Sequence, residues 1–476
     1  MRSIALGATA LGLLAIDSLV AAGDVFISHY SKAVRGHGYL SVPVGTVQRP
    51  ASSKRAAKTF QDKLYNMDAF YATHVDIGEP PQRVSVLVDT GSSELWVNPD
   101  CRTAVSQEQA RCVKFGKYDP RKSSKSMGPF GHHKLNYGDP SDVSSQTSAT
   151  IVYFADALSL GGAKISNQTF GLVAESQGQS QGILGLAPDV EGGYDGDKPY
   201  SLVLSSMAEQ GLIASRVYSL DLRHSDSHYG AVIFGGLDKS KFIGTLEKRP
   251  IIKGIKGEYR LAVELGTVGV TRAKSSSFKV AGRDSNVMLD SGATLSRLHA
   301  AVAMPIAEAL GARDNGNGLF RVPCSTRNSA GSVEFGFGKK KIRIPLKDFI
   351  LPSMSKTACY AGMVLTTGQQ ILGDSVLRAG YFVFDWDNQE VHIAQAANCG
   401  NEDIVAVSSG KMAVPSATGN CKDSDAAFAG GSQTRTMQDA PAATDTGDAN
   451  NAGVGAAAAS GLLMIVASLA MVHNVL

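Results

Sequence analysis

One apolar hexapeptide occurs twice in this chain. Val86-Leu-Val-Asp89-Thr-Gly91 returns, 201 residues later, as Val287-Met-Leu-Asp290-Ser-Gly292. Each copy is an apolar run that ends in Asp, a small hydroxyl residue and Gly. A short apolar run bounded by a turn signal reads as a buried strand, so each Asp stands where such a strand stops. Ile-Leu-Gly follows in each half: Gly185 lies 96 residues after Asp89, and Gly373 lies 83 after Asp290. Two motifs repeated in one order imply a pseudo-symmetric pair of lobes, each delivering one Asp to a shared boundary. Two unrelated strand-to-turn junctions would account for one tripeptide, but not for the paired repetition of both motifs.

The rest of the folded part, from about Tyr65 to Cys399, supports an all-β architecture. Segments of strand character include Phe70 to Ile77, Val84 to Val88, Val217 to Leu222 and Ala231 to Phe234. Tyr381 to Asp385 and Glu390 to Ala394 flank Asp387-Asn388 and predict a hairpin. Helical signals are few: Ser201 to Gln210 before Gly211, and Ala300 to Leu310 before Gly311. The expectation is a bilobal all-β fold with two or three short helices, its lobes at 56–240 and 241–400.

Both ends carry sorting signals. Arg2, the apolar stretch from Ile4 to Ile16, and small residues up to Ala22 predict an export signal over 1–22. Residues 23–55 are basic and end in Ser-Ser-Lys54-Arg55, a dibasic pair suited to removal of a propeptide. From residue 401 the chain turns to Ala, Gly, Ser, Thr and Asp, which predicts a disordered stalk over 401–451. The apolar end, Gly461 to Leu476, is short for a membrane span and has no basic flank. It fits a lipid-anchor exchange signal over 452–476 better, with Asn451 as the attachment residue. The expected location is the cell surface, or alternatively the medium.

Six cysteines in an exported chain suggest three disulfides. Fifteen connectivities are open, and pairing neighbours in sequence gives Cys101–Cys112, Cys324–Cys359 and Cys399–Cys421. Asn167-Gln-Thr169 is an acceptor for N-glycosylation. A formal charge of +3 with scattered Lys and Arg excludes a nucleic-acid partner from the expectations. His224 and His228 are four apart, but on a Ser-Asp-Ser hairpin tip that makes a poor zinc site. No metal and no cofactor is expected, and the chain reads as a monomer.

A strand ending in Asp-Thr/Ser-Gly presents a carboxylate from a rigid base, and Gly allows close backbone approach. Two such loops face to face would bring two carboxylates into contact. Like charges that close cannot both ionise, so the pair holds one proton over the acidic range. The ionised member can take a proton from a water, while the protonated member hydrogen-bonds a substrate carbonyl.

The chain resembles the pepsin family of aspartic peptidases over roughly Tyr65 to Ala397. The resemblance rests on Asp89-Thr-Gly-Ser-Ser-Glu-Leu-Trp96-Val97, Tyr137-Gly138-Asp139, Ile183-Leu-Gly-Leu186, Ile233-Phe-Gly-Gly236, Asp290-Ser-Gly-Ala-Thr294 and Ile371-Leu-Gly-Asp374. It implies an endopeptidase with an acid pH optimum, peptide or protein substrates, and Asp89 and Asp290 as its catalytic pair. It implies that Tyr137 tips a hairpin flap, bonded to the Trp96 indole, with Gly138 and Asp139 beside it. It further implies that Ser92 bonds Asp89, that Gly91 and Gly292 offer backbone to substrate or dyad, and that Thr294 supports the site. The first two cysteine pairs match the family's disulfides, which leaves Cys399 and Cys421 beyond its core. The prosegment, anchor signal and flap acid resemble the fungal, yapsin-like cell-surface branch.

The chain departs from that pattern in three places. Ala293 stands where many relatives carry a Thr hydroxyl; Gln181 replaces an acid and Pro188 follows Leu186-Ala187; Glu94 replaces Asn. Asp139 has two readings: a partner for a substrate's Lys or Arg, or a solvated turn acid. A glycosidase also uses paired carboxylates, but Asp-Thr/Ser-Gly repeats have no role there and only two Trp residues are present to stack sugars. A binding protein on a dead peptidase scaffold is disfavoured because both Asp residues, both Gly residues and Tyr137 are intact.

Overall fold

The computed structural model describes residues 34–36, 39–41, 62–66, 70–140, 142, 145–188, 199–223, 229–316, 318–352 and 358–425. The export signal, Lys54-Arg55, His224, His228, Asn451 and the anchor tail lie outside the described residues.

Each half is built around its copy of the repeat. The strand Gln82–Asp89 is buried from Val84 onward. It pairs antiparallel with Tyr71–Ile77 on one side and parallel with Gly182–Gly185 on the other, where Gly185 stands opposite Asp89. In the second half, Asn286–Leu289 pairs antiparallel with Tyr259–Glu264 and parallel with Gln370–Leu372. Ile-Leu-Gly is therefore the neighbour of the aspartate strand in both halves, which is why the two motifs recur together. Strands covered on both faces need continuous apolar sequence rather than alternation, and both aspartate strands have it.

A shared sheet joins the halves. Val217–Asp221 pairs with Tyr229–Phe234 on one side and with Gly380–Asp385 on the other. Gly380–Asp385 and Glu390–Ala396 form the expected hairpin. Its turn is held by Asn388, whose backbone N–H and side-chain amide both donate to the Asp385 carboxylate. Tyr218 stacks on Phe384 at 4.9 Å and Phe242 on Tyr381 at 5.0 Å, so aromatic rings tie the sheet into the core.

The helices Val203–Glu209 and Ala300–Leu310 fall where the sequence places them, and Gly311 ends the second in a left-handed conformation at φ 67°. Ser106–Lys114 is an additional helix. Its sequence has too few apolar residues to show a helical stripe. Tertiary contacts hold it instead: the Cys101–Cys112 disulfide, the buried Glu108–Arg111 ion pair, and Arg111 over the Phe70 ring. The other two sequence-near cysteine pairs, Cys324–Cys359 and Cys399–Cys421, are also formed.

The stalk expected from residue 401 needs correction, because the folded unit continues to residue 425. Ile404–Ala406 pairs with Gly236–Asp238, and Thr418–Asn420 pairs with Phe242–Pro250. Val407, Ala413, Val414 and Ala417 are buried against Val217, Leu237 and Phe242. Composition misled here for a physical reason. A few small apolar residues suffice to cover an existing sheet face, and the Cys399–Cys421 bond removes much of the entropy of holding the segment there.

Candidate active site

The two Asp-Thr/Ser-Gly turns interlock. The Thr90 backbone N–H donates to Ser291 Oγ at 3.1 Å, and the Ser291 N–H donates to Thr90 Oγ1 at 2.9 Å. Each hydroxyl then crosses to the other lobe: Thr90 Oγ1 donates to Leu289 O at 2.9 Å, and Ser291 Oγ to Val88 O at 2.8 Å. Both residues are fully buried. Four short, dry hydrogen bonds about a local two-fold fix the turns against each other and leave little freedom to the aspartates they carry. The sequence reading did not assign Thr90 and Ser291 this role. The available signal was a hydroxyl residue at the same position of both copies.

This clasp brings Asp89 and Asp290 together. A methyl placed on Gly91 would stand 2.5 Å from Asp290 Cγ, and one on Gly292 would stand 2.4 Å from Asp89 Oδ1. Each glycine thus faces the opposite aspartate, and any side chain there would collide with the pair. Both carboxylates also accept from the glycine two residues on: Gly91 N–H to Asp89 Oδ1 at 2.7 Å, Gly292 N–H to Asp290 Oδ1 at 2.8 Å.

Beyond this the symmetry breaks. Ser92 Oγ donates to Asp89 Oδ2. The equivalent position on the other side is Ala293, which has no hydroxyl. The Ser92 hydroxyl thus gives Asp89 a donor that position 293 cannot give Asp290. Trp96 Nε1 donates to the Tyr137 hydroxyl at 2.7 Å. Burial pushes the Asp290 carboxyl well above the usual carboxylate range, and the charge of Asp89 and their mutual hydrogen bond push it further. Burial and the neighbouring carboxylate thus favour the protonated form of Asp290.

The hairpin His132–Tyr137/Thr147–Leu160 carries Tyr137, Gly138 and Asp139 at its tip, with Gly138 at φ 94°. A Cβ at Gly138 would meet the Ser145 carbonyl at 2.3 Å, so the turn requires glycine. Asp139 is not a solvated turn acid. It is 5% exposed, and Thr366 of the other lobe donates its hydroxyl to Asp139 Oδ2 at 2.5 Å. Thr366 went unrecognised in the sequence, since nothing local marks a partner 227 residues away.

Other buried polar groups ring the site. Glu94 accepts from the hydroxyls of Tyr153, at 2.9 Å, and Tyr200. Gln181 is buried and accepts from Ser180 Oγ. Arg297 is buried seven residues beyond Asp290; burial draws its guanidinium below the usual arginine range, and attraction from Asp290, Asp139 and Asp142 opposes this. Thr294, expected as a supporting residue, contributes its carbonyl to the Ser375 N–H at 3.1 Å. Asn167 is exposed and adopts φ 68°.

Fold and site together define a two-lobed, all-β hydrolase scaffold with a paired-carboxylate centre beneath a flap. A family model described as eukaryotic aspartyl protease matches residues 70–396, and the chain belongs to that family as a pepsin-like aspartic endopeptidase. It is 32% identical over 402 residues to secreted aspartic protease 3 of Candida albicans, covering 80% of this chain and 93% of that one. It is 33% identical over 350 residues to candidapepsin of Candida tropicalis, covering 72% and 83%. The crystal structure of the aspartic proteinase from Irpex lacteus superposes with a TM-score of 0.58 at 22% identity, covering 71% of this chain and 97% of that one. It shares the fold.

Proposed function

We propose that this endopeptidase hydrolyses peptide bonds with a water activated between Asp89 and Asp290 at acid pH. The observation that carries the reading is the reciprocal packing of Gly91 on Asp290 and Gly292 on Asp89, with a hydroxyl donor on the Asp89 side and a methyl at the matching position 293. The Asp89 carboxylate takes a proton from water as the water oxygen attacks the scissile carbonyl carbon. Asp290 gives its proton to the carbonyl oxygen, and a neutral gem-diol forms. Asp89 then gives its proton to the amide nitrogen while Asp290 takes one back from a diol hydroxyl; the C–N bond breaks, an acid and an amine leave, and the dyad again holds one proton, on Asp290. The flap, held by Trp96 and Tyr137, covers an extended substrate and excludes bulk water. Asp139, an acid beside Tyr137, supports tolerance of basic side chains next to the scissile bond.

The same reading places the protein in the secretory route, as the name of secreted aspartic protease 3 says of that Candida albicans relative. It is cut after Arg55, glycosylated at Asn167, and held at the cell surface as a monomer through a lipid attached at Asn451. Among the described residues no helix is long and apolar enough to cross a membrane, so the anchor rests on the tail 452–476 alone. Cleavage of a denatured protein at acid pH, blocked by a statine-type transition-state analogue and lost in Asp290→Asn, tests the chemistry. Cleavage that persists in Asp290→Asn, or that ignores the analogue, refutes it. Deleting residues 452–476 should move the activity from the cell surface to the medium.

A further inference from the structure

Asp385, Glu390 and His392 bring two carboxylates and an imidazole together on one face of the hairpin in the shared sheet. Asp385 and Glu390 are cross-strand partners at its turn end, and His392 lies two residues beyond Glu390, hence on the same face. One donor atom from each lies within 4.8 Å of the other two. Asp385 and His392 are buried, and Glu390 is partly so. His392 Nε2 is 3.7 Å from the Glu390 carboxylate, too far for a hydrogen bond, and has no hydrogen-bond partner. A buried ring nitrogen left without a partner is costly and asks for an explanation. Neither the dyad nor the flap uses it.

We propose that Asp385, Glu390 and His392 bind one divalent transition-metal ion of the zinc class, which clips the hairpin and takes no part in hydrolysis. The donor set carries the choice of ion. Calcium and magnesium take oxygen ligands alone, whereas an imidazole beside carboxylates suits a borderline cation such as zinc. Three protein ligands leave a fourth position to water. Metal–ligand bonds of about 2.0–2.1 Å in a tetrahedron need donors roughly 3.3 Å apart, and donors that start within 4.8 Å of one another, 3.7 Å for His392 and Glu390, can be drawn to that spacing by side-chain adjustment. The two bonds from Asn388 orient the Asp385 carboxylate, as supporting hydrogen bonds do for metal ligands.

Lys248 is the built-in competitor. It faces His392 on the adjacent strand, and its Nζ lies 3.0 and 3.1 Å from the two Glu390 oxygens. Its side chain is 54% exposed, so it can swing into water when a cation takes its place. A Lys248→Met change should therefore strengthen metal binding, an effect that a merely structural cluster has no reason to show.

The test uses the full chain, metal-stripped, in an Asp290→Asn background that prevents self-digestion. Zinc is titrated calorimetrically near neutral pH, and the unfolding temperature is read with and without it. The reference protein should bind one saturable equivalent and gain a few degrees in Tm at a hundredfold excess over Kd. His392→Ala should lose roughly tenfold or more in affinity, together with the Tm gain. Lys248→Met should bind severalfold more tightly. The surface pair His132 and His133 is present in all three proteins, so any zinc it takes cancels in the comparison. Identical binding by the reference and His392→Ala, or weaker binding by Lys248→Met, overturns the site. Should His392→Ala fail to fold, the Lys248→Met comparison decides alone.

Discussion

Replacing Ala293 by Ser or Thr should lower the pH at which proteolysis shuts off on its alkaline side. Position 293 follows Asp290 by three residues, as Ser92 follows Asp89, and Ser92 donates to the Asp89 carboxylate. A hydroxyl at 293 would restore the missing half of that symmetry. Its donor favours the ionised Asp290, so the pair gives up its last proton at lower pH. A hydrogen bond to a charged group is worth about 1.5–3 kcal/mol, and one pKa unit corresponds to about 1.36 kcal/mol, which sets a ceiling of roughly 1–2 units. Because two coupled carboxyls share the effect, a fall of about 1 unit in the alkaline limb is expected, with a smaller change in the acid limb. The assay is kcat/KM on a fluorogenic peptide across the bell-shaped profile, since that ratio reports the uncomplexed enzyme. Superimposable profiles would show that position 293 does not reach Asp290. Movement of the acid limb alone would show that the shared proton sits on Asp89.

Thr366→Val removes the donor that holds the flap acid across the cleft and leaves a buried carboxylate oxygen short of a partner. At about 1–3 kcal/mol for such a group, KM should rise roughly tenfold while kcat changes less, and an unchanged KM would count against flap latching. Replacing Cys399 and Cys421 together by Ser opens a loop with a sequence separation of 22, worth about 3 kcal/mol in the chain-entropy account, and should lower Tm by several degrees; an unaltered Tm would show that strand pairing alone holds residues 401–425. His392 has a folded-state pKa near 4 against 6.5 for an ordinary histidine, so between those values the unfolded chain binds the extra proton and stability falls as pH falls. His392→Gln should remove up to about 3 kcal/mol of that loss in metal-stripped protein, read as the difference in denaturation free energy between about pH 7 and pH 4.

The features legible in the sequence are those whose physics is local or duplicated. A strand buried on both faces needs an apolar run, a left-handed helix end needs Gly311, and a tight turn between two strands favours Asp387-Asn388, so these elements could be placed from their own residues. The meeting of Asp89 with Asp290 was legible because duplication printed the motif twice. What stayed hidden depends on contacts between distant segments. Thr366 meets Asp139, and Glu94 meets Tyr153 and Tyr200, through pairings that no spacing rule anticipates. The helix Ser106–Lys114 and the segment 401–425 have compositions that argue against order, and each is held by a disulfide and by neighbours elsewhere in the chain.

Duplication also poses the problem that the site must solve. Two equivalent lobes present two equivalent carboxyls, yet the proposed hydrolysis has one accept a proton while the other donates. The clasp of Thr90 and Ser291 is symmetric and can only hold the pair in place. The difference in role has to come from positions where the two copies diverge, and the first of these after the tripeptide is Ser92 against Ala293. On one side the Ser92 hydroxyl donates to Asp89, while the flap's Tyr137 is held by the Trp96 indole. In the proposed mechanism the general base therefore takes its extra donor from one serine, and a single methyl at position 293 keeps the opposite carboxyl outside that stabilisation.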